Sequence, residues 1–359
     1  MSGRPGIEAT APTRPEGGAA AVRVTRSRRS TLWAGIAAIV VVIVLCYLPY
    51  LVYTGTTNQL IQFFMLLTMA TMWNLLAGYA GLVSVGQQAF IGLGAYVVLI
   101  LADHGANAYL AIPAATIGCA AIGLPIWWLV SRLRRGYFAI TMWVVASVCE
   151  LIIIQISALG GGTGAALQGL NLSPTLLNAY TYWASLAVAV IVIATVYFLL
   201  RSPVGLVLTA IRDDEAGARS VGARVARTQR LVFLVAAAGC GAAGALYIIS
   251  SQFVVPTAAF SVQWSAEMIF ITIIGGIGTI EGPILGTIVF YVLQQSIAQY
   301  GTWYFIVLGL MAMVIAIFAP HGLWGLISDR LGIRLFPVGY YLWPAGTGPR
   351  HRPVPVRRG

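Results

Sequence analysis

The chain has 359 residues, of which 59% are hydrophobic and 9% are charged, and its formal net charge is +11. Soluble domains carry about 25% charged residues, so this composition excludes an ordinary soluble protein and predicts an all-α polytopic membrane protein. The positive charge comes from arginines placed between or outside the apolar segments. It therefore indicates an orientation in the bilayer and no nucleic-acid partner.

About ten apolar segments approach the roughly 20 residues that a membrane-spanning helix needs. In chain order, the predicted transmembrane or re-entrant helices are 32–52, 59–77, 84–101, 108–130, 138–158, 182–200, 231–250, 266–280, 283–297 and 302–319. The first segment is too long for the core of a cleaved signal peptide, so we expect it to be retained. Residues 1–31 are predicted to be a disordered tail and residues 328–359 a C-terminal tail. A membrane domain of residues 32–327 remains.

Blocks of arginines predict the orientation of the chain. They are Arg23–Arg29, Arg132–Arg135, Arg201–Arg230 and Arg330–Arg358. Four, two and four predicted spans separate successive blocks, so all the blocks fall on the same side of the membrane. The positive-inside rule assigns that side to the cytoplasm, which predicts that both tails are cytoplasmic (N-in, C-in).

A glycine-patterned stretch, Asn74–Tyr96 (NLLAGYAGLVSVGQQAFIGLGAY), interrupts the second and third apolar segments. Small residues at such spacing let helices approach closely. Helices broken at corresponding positions of two halves of a chain indicate a transport path. Gln87 and Gln88 lie in this apolar region, where polar side chains are costly unless they are paired or functional. We predict that both glutamines lie on a translocation path.

Glu150 lies past the middle of the fifth apolar segment, with Gln155 about one turn further on. Two interpretations of this intramembrane carboxylate stay open, namely a hydrogen bond between helices and a position on a translocation path. No chain of acids and histidines suited to a proton relay accompanies it. That pattern argues against a proton-coupled transporter.

The segment Arg201–Arg230 is dense in charges of both signs, so it is predicted to lie in water at the cytoplasmic surface. Apolar residues recur in it at helical spacing, which predicts a short amphipathic helix; they are Val207, Ile211, Ala218 and Val221. Charged residues cluster in one turn, at Arg212, Asp213, Asp214 and Glu215. A contact surface for a soluble partner and a merely solvated loop are the two interpretations.

A second glycine-patterned stretch, Ile274–Gly286 (IGGIGTIEGPILG), combines glycines with a Gly-Pro pair that can end one helix and begin another. Its first glycines, Gly275, Gly276 and Gly278, are further candidates for the translocation path. Glu267 and Glu281 flank the stretch, and we expect both to be solvated ends near the two membrane surfaces.

The residue types and their spacing give no evidence for nucleotide hydrolysis, metal binding or covalent catalysis by this chain. The chain has no lysine, and a nucleotide-binding Walker A loop requires one. The four cysteines lie inside apolar segments without metal-ligand spacing, and no catalytic triad or zinc motif is present. We therefore expect no catalytic residues, metal or cofactor. Three classes of membrane protein stay open. They are a transport subunit whose ATP is hydrolysed by a separate polypeptide, an ion-coupled secondary transporter and a lipid-facing membrane enzyme.

Four stretches together resemble one family. The first glycine stretch, Arg135–Leu151 (RGYFAITMWVVASVCEL), the charged segment GLVLTAIRDDEAGARSVGARVARTQRLVF and GGIGTIEGPILG are similar, in the same order, to motifs of branched-chain amino acid ABC importer permeases of the LivM type. The matches extend from about residue 58 to about residue 320. Only the tails fall outside the resemblance.

The resemblance implies a permease subunit in a bacterial cytoplasmic (inner) membrane. Its implied partners are a second related permease, two cytoplasmic ABC ATPase subunits and an extracytoplasmic solute-binding protein, with the lipid bilayer as its solvent. It also implies that Arg201–Arg230 is a coupling segment that docks in a groove of the ATPase. The implied docking residues are Arg212, Asp213, Asp214, Glu215, Ala216, Arg219, Ser220 and Gly222.

The sequence departs from the family pattern at two positions near the expected path. Gln87 stands where the family often has histidine, and Ile153 stands where an arginine is common. The fold and the coupling segment do not depend on either position. The identity of the transported solute does depend on these positions. Urea, amides and aromatic acids therefore stay possible solutes beside leucine, isoleucine and valine.

The predicted orientation can be tested by cysteine accessibility. We expect Ala223→Cys and Ser328→Cys to react with a membrane-impermeant maleimide only from the cytoplasmic side, and Asn107→Cys only from the outside, because arginine blocks mark the cytoplasmic face. Intact spheroplasts and inverted vesicles supply the two sides. Labelling of Ala223→Cys in intact spheroplasts would reverse the topology.

Overall fold

The computed structural model describes residues 23–25, 28–51, 54–133, 135–169, 173–297, 302–319, 322–331, 341–343 and 354–355. These residues are almost entirely helical, which confirms the predicted all-α polytopic membrane fold. The chain divides into two units, one formed by Ala34–Phe336 and the other by Met1–Trp33 with Pro337–Gly359.

Long helices make up the larger unit, and short connecting helices join them. The long helices are α1 (Arg28–Leu51), α2 (Thr54–Asn74), α3 (Gln88–Asp103), α4 (Ala111–Val130), α5 (Arg135–Gln155), α6 (Pro174–Arg201), α9 (Val225–Ser251), α11 (Val262–Gly275), α12 (Glu281–Ile297) and α13 (Thr302–Phe318). The shorter ones are α7 (Pro203–Asp213), α8 (Glu215–Ser220), α10 (Pro256–Ala259) and α14 (Gly322–Leu331). A π-helix, Leu75–Tyr79, continues α2, and two 3-10 turns, Ser157–Leu159 and Gly161–Thr163, follow α5.

Each of the ten predicted apolar segments overlaps one long helix. Within the described residues, six helices are long and apolar enough to cross a membrane, or seven if the bent pair Ile306–Phe318 and Gly322–Ser328 forms one span. The third predicted span is short, because α3 has 16 residues and so measures about 24 Å against a hydrocarbon core of about 30 Å. The count of ten and the orientation stay predictions.

Helix α9 is the central helix of the larger unit, and it contacts α2, α3, α4 and α6. Small residues let its neighbours approach at backbone distance. A side chain at Gly244 would collide with the carbonyl of Ile91 in α3, and one at Gly241 would lie 2.5 Å from the sulfur of Cys119 in α4. The glycines of α9 are therefore packing positions that hold α3 and α4 against it.

Two short strands connect loops at the end of the bundle opposite the coupling segment. Strand β2 (Ala165–Ala166) lies between α5 and α6, and strand β3 (Phe253–Val254) follows α9. They pair antiparallel, with Ala165 opposite Val254. The pairing fixes the C-terminal end of α9 to the connection between α5 and α6.

The smaller unit contains a three-stranded antiparallel sheet of strands β1 (Arg23–Thr25), β4 (Tyr341–Trp343) and β5 (Val354–Pro355). Arg23 is opposite Trp343 in this sheet, and Leu342 is opposite Val354. Most of the predicted tails 1–31 and 328–359 lies outside the described residues, so their disorder stays a prediction. The helical part of the membrane domain extends past residue 327, because α14 ends at Leu331.

The close packing of α9 predicts that its glycines are sensitive to the smallest substitution. We expect Gly244→Ala to destabilise the protein by about 1–3 kcal/mol, since the added methyl group must displace the backbone of α3. Thermal unfolding in detergent, followed by tryptophan fluorescence, measures the change. Gly136→Ala is the matched control, because nothing lies within 4 Å of its added carbon. Equal unfolding temperatures for the two variants would contradict the packing argument.

Candidate functional site

The coupling segment folds as two helices and not as the single amphipathic helix expected from its sequence. Helix α6 ends at Arg201, and Ser202 then caps α7 by accepting a hydrogen bond from the backbone N–H of Val204 at 3.2 Å. Asp214 separates α7 from α8 and caps α8, because its Oδ1 accepts from the N–H of Ala216 at 3.0 Å. One of the predicted docking carboxylates therefore has a local structural role.

An apolar face anchors both helices of the segment. Ile211, Ala218 and Val225 are buried together, and Val207, Ala210 and Ala223 pack against them. The prediction for Val221 was wrong, since 82% of its surface is exposed. A turn at Gly222, with φ +85°, ends α8 before another helical repeat could bury Val221, and Val225 in α9 occupies the apolar face instead.

The polar face of the segment is exposed and carries most of the predicted docking residues. The exposed ones are Arg212, Asp213, Asp214, Ala216, Arg219, Ser220 and Gly222, and Glu215 is half-buried. Glu215 accepts from Arg219 one turn later, at 2.7 Å. This surface ion pair contributes only about 0–1 kcal/mol to folding, so the charges of the face are available for a partner at little cost to the fold.

Arg212 differs from the other charged residues because its side chain also reaches into the bundle. Its Nη1 donates a hydrogen bond to the carbonyl of Gly278 at 3.3 Å. Gly278 belongs to the turn between α11 and α12, the second of the two glycine stretches. The coupling segment is therefore in direct contact with a residue that the sequence assigned to a translocation path.

Asn74 binds the same turn from the other side. It is the last residue of α2 and is almost completely buried. Its Oδ1 accepts from the N–H of Gly278 at 2.7 Å, and its Nδ2 donates to the carbonyl of Thr279 at 2.7 Å. One side chain thus satisfies two backbone groups of a buried turn, which would be costly to leave unpaired.

The two glycine stretches meet at this point. A side-chain carbon on Gly78, in the π-helix after α2, would lie 2.6 Å from the nitrogen of Gly278. Gly278 has φ +74°, and a side-chain carbon there would lie 2.6 Å from Nη1 of Arg212. We name the group Asn74, Gly78, Arg212, Gly278 and Thr279 the glycine junction. A π-helix inside an α-helix frequently marks a functional site.

Gly275 and Gly276 shape the turn that carries the junction. A side chain on Gly275 would collide with the carbonyl of Gly282 in the first turn of α12, and Gly276 has φ +128°. Glu281 and the Gly-Pro pair at 282–283 begin α12, as the sequence predicted. The described geometry gives these glycines a role in close packing, and their place on a translocation path stays a prediction.

Gln88 begins α3 in the interior of the bundle. Its Oε1 forms a hydrogen bond with the hydroxyl of Ser265 in α11. Ser265 lies ten residues before Gly275, so this contact is about 15 Å along α11 from the junction turn, or about half of the hydrocarbon thickness. Between Tyr79 and Gln88 the backbone is not α-helical. Such backbone at membrane depth is found only inside protein or along a cavity.

Gln87 is completely buried, and neither atom of its amide has a hydrogen-bond partner within the described residues. A buried amide without partners costs about 1–3 kcal/mol, so this side chain needs a reason to be there. Glu150 is half-buried on α5 and forms no hydrogen bond to the other predicted path residues in the described part of the chain. Of the predicted path residues, Gln88 is hydrogen-bonded to α11, and Gly278 is hydrogen-bonded to Arg212 of the coupling segment. Glu150 has no hydrogen bond to either group among the described residues.

Asn74 is a structural residue that the sequence analysis missed, and two acids were placed wrongly. An asparagine at the end of an apolar helix is a usable signal, because a polar side chain there needs a partner. Glu267 and Glu281 were expected to be solvated, but both are buried. Glu267 accepts from the side-chain amide of Gln263 at 2.8 Å, which a lone sequence position could not reveal.

A hollow of about 980 Å³ lies beside the coupling segment. The loop between α4 and α5, the beginning of α5, the turn at Gly81 and helix α8 line it. Arg132, Glu215 and Arg219 give the hollow charged walls of both signs. This concave surface adjoins two of the predicted docking residues, Glu215 and Arg219.

An apolar bundle with at least six helices long enough to cross a bilayer among the described residues defines a multi-pass membrane protein. The chain belongs to the family of permease components of branched-chain amino acid transport systems, whose model matches residues 55–317. It is thus an ABC importer permease component, and its expected resemblance to the LivM type is confirmed.

Relatives with known names agree with this family. The chain is 25% identical over 289 residues to the high-affinity branched-chain amino acid transport system permease protein LivM of Escherichia coli, covering 73% of this chain and 68% of that protein. It is 22% identical to the probable branched-chain amino acid transport permease protein LivH of Methanocaldococcus jannaschii, covering 68% and 84% of the two chains. It is 24% identical to the fructose import permease protein FruG of Bifidobacterium longum, covering 70% and 78%. No solved structure matches the chain.

The two hydrogen bonds of Asn74 predict its contribution to stability. We expect Asn74→Ala to lower the free energy of unfolding by about 1–3 kcal/mol for each backbone group left unpaired. Asn74→Asp should recover part of the loss, because a carboxylate accepts from Gly278 but cannot donate to Thr279. Thermal unfolding in detergent measures all variants, with Asn58→Ala, an exposed asparagine near the other end of α2, as control. Wild-type stability of Asn74→Ala would rule out the junction as a structural element.

Proposed function

We propose that the chain is one of two related permease subunits in an ATP-driven importer of the bacterial cytoplasmic membrane, and that it carries branched-chain amino acids into the cytoplasm. Two cytoplasmic ABC ATPases drive the transport, and an external solute-binding protein delivers the solute. Family membership supports the assignment to ABC importer permeases. The arrangement of the partners, the membrane and the solute are what we propose in addition.

The observation that carries the proposal is the glycine junction. Arg212 is on the exposed coupling segment, yet it hydrogen-bonds the turn between α11 and α12, which Asn74 also binds. A solvated loop without a partner needs no such connection to the interior. The junction therefore favours the docking interpretation of Arg201–Arg230 over the interpretation as a plain linker.

The mechanism follows from this connectivity. Movement of the ATPases displaces α7 and α8, and Arg212 passes the displacement to Gly278. Because Gly78 and Gly278 touch backbone to backbone, the end of α2 and the end of α11 move together with the turn. Alternating access then arises when packed helices shift between two arrangements, as in other shear motions.

The hollow beside α8 supports a docking site for the ATPase. Its charged walls include Glu215 and Arg219, which the family resemblance assigns to docking. Charged side chains that a partner buries contribute about 2–5 kcal/mol to the complex, far more than they contribute in the free subunit. The same residues can thus be unimportant for folding and essential for assembly.

Gln87 supports a solute path near the middle of the membrane. Its unpaired amide can donate to a carboxylate and accept from an ammonium group, the two polar groups of an amino acid. The fructose importer among the relatives favours one specific alternative, a different small polar solute carried by the same fold. Urea, amides and aromatic acids are the other solutes consistent with the residue at position 87.

Removal of docking charges should separate folding from transport. We expect the double variant Asp213→Ala, Glu215→Ala to be expressed and folded like wild type, because exposed pairs contribute little. Uptake and solute-stimulated ATP hydrolysis of the reconstituted importer should fall by at least tenfold, since docking contacts are lost. Asp103→Ala, an exposed acid at the end of α3, is the control. Normal uptake by the double variant would contradict ATPase docking at this turn.

Arg212→Ala tests transmission. It removes only one of the eight implied docking residues and leaves the other seven in place. We expect this variant to co-purify with the ATPase in near-normal amount and to hydrolyse ATP, while uptake falls by at least tenfold, because the hydrogen bond to Gly278 is lost. The ratio of solute transported to ATP hydrolysed, measured in proteoliposomes, is the relevant quantity. An unchanged ratio would mean that the junction plays no part in coupling.

The solute can be identified through the binding protein that stimulates this importer. We expect leucine, isoleucine or valine to raise its thermal unfolding temperature, because the binding protein and not the transient membrane cavity selects the solute. Differential scanning fluorimetry with a panel of amino acids, urea, amides, aromatic acids and fructose makes the comparison. Stabilisation by another member of the panel alone would move the chain to a different solute.

A further inference from the structure

An open groove of about 420 Å³ lies on the surface of the bundle between α4 and α9. Its apolar lining comes from both helices, namely Ala120, Leu231, Leu234, Val235 and Ala238. The two remaining lining residues are Arg227 and Arg230, three positions apart at the beginning of α9. The groove is therefore a long apolar surface with positive charge at one end only.

Neither arginine has a protein partner in the described part of the chain. Both side chains are exposed, and no acidic residue lines the groove. Arg219, by comparison, is paired with Glu215. Two unpaired guanidinium groups at the edge of an apolar groove can bind an anion together, and a guanidinium binds phosphate oxygens through two parallel hydrogen bonds.

The dimensions of the groove match half a bilayer. From Arg227 to Ala238 the helix advances about 16 Å, which is close to one leaflet of a hydrocarbon core about 30 Å thick. The arginines lie in the first two turns of the spanning helix α9, where long basic side chains reach the headgroup region. A phospholipid has the same layout, with an anionic phosphate above one leaflet-length acyl chain.

We infer that the groove between α4 and α9 is a binding site for an anionic phospholipid, with the phosphate on Arg227 and Arg230 and an acyl chain between Ala120 and Ala238. Both arginines lie at the end of the segment Arg201–Arg230, but neither is among its implied docking residues or in the glycine junction. The bound lipid covers the surface groove along the contact between α4 and α9 and shields its apolar lining. Basic pockets between helices at the cytoplasmic side are typical sites for such headgroups.

Lipid retention by the purified importer complex tests the site. We expect native mass spectrometry to detect phosphatidylglycerol retained in preference to phosphatidylcholine, and Arg227→Ala with Arg230→Ala to weaken retention by roughly fivefold for each arginine. Arg224→Ala is the matched control, because Arg224 caps the same helix but does not line the groove. Ala238→Phe should also reduce retention, since it fills the acyl path and leaves both charges in place.

Thermal unfolding provides a second measurement that does not depend on transport. Phosphatidylglycerol added to the delipidated complex should raise the unfolding temperature of wild type and of Arg224→Ala, but not that of the double arginine variant. Inorganic phosphate alone should have no effect, because it lacks the acyl chain. Equal retention by wild type and the double variant would overturn the assignment. So would binding by the isolated chain that disappears in the complex, which would make the groove a contact face for the second permease.

Discussion

The side chain of Asn74 imposes the constraint on which the rest of the coupling end depends. A turn of glycines can approach the π-helix after α2 only if its backbone groups find partners inside the bundle, where no water replaces them. Asn74 supplies both partners, a donor and an acceptor, to adjacent residues of the turn. An asparagine amide carries its donor and its acceptor on two separate atoms, so one side chain can bind both backbone groups of the turn at the same time.

This arrangement explains why the coupling segment can be both exposed and connected to the core. Its apolar face rests on a small cluster around Ile211, which holds α7 and α8 in place without burying their charges. Arg212 is the exception, since its guanidinium lies against Gly278. The apolar anchor, the single polar contact with the interior and the solvated charged surface are together the features that the proposed coupling role needs.

The sequence predicted the helical bundle and the exposure of the charged residues around Asp213, because hydrophobicity and charge are local properties of a chain. Each apolar run became a helix, and Asp213 and Arg219 are exposed as expected. The sequence could not predict that Gly78 touches Gly278, since that contact joins residues from two distant segments. The exposure of Val221 was missed because the apolar spacing in the sequence continues through Val221, whereas the left-handed turn at Gly222 ends the helix there. Glu267 was expected to be solvated but is buried. Its burial depends on which helices surround it, and some helices that contact α11, such as α2, are distant in the sequence.

The contact between Asn74 and Gly278 joins residues 204 positions apart, and this separation has a consequence for biosynthesis. A ribosome adds about 5–20 residues per second, so Asn74 waits roughly 10–40 s in the membrane before its partner turn is made. During that interval the helices from α3 to α11 are made one after another, while Gly278 and Thr279, the two partners of the Asn74 amide, do not yet exist. The end of α2 therefore cannot reach its final paired state until all the helices up to α11 have been synthesised. The junction is among the last long-range contacts of the bundle that the growing chain can complete.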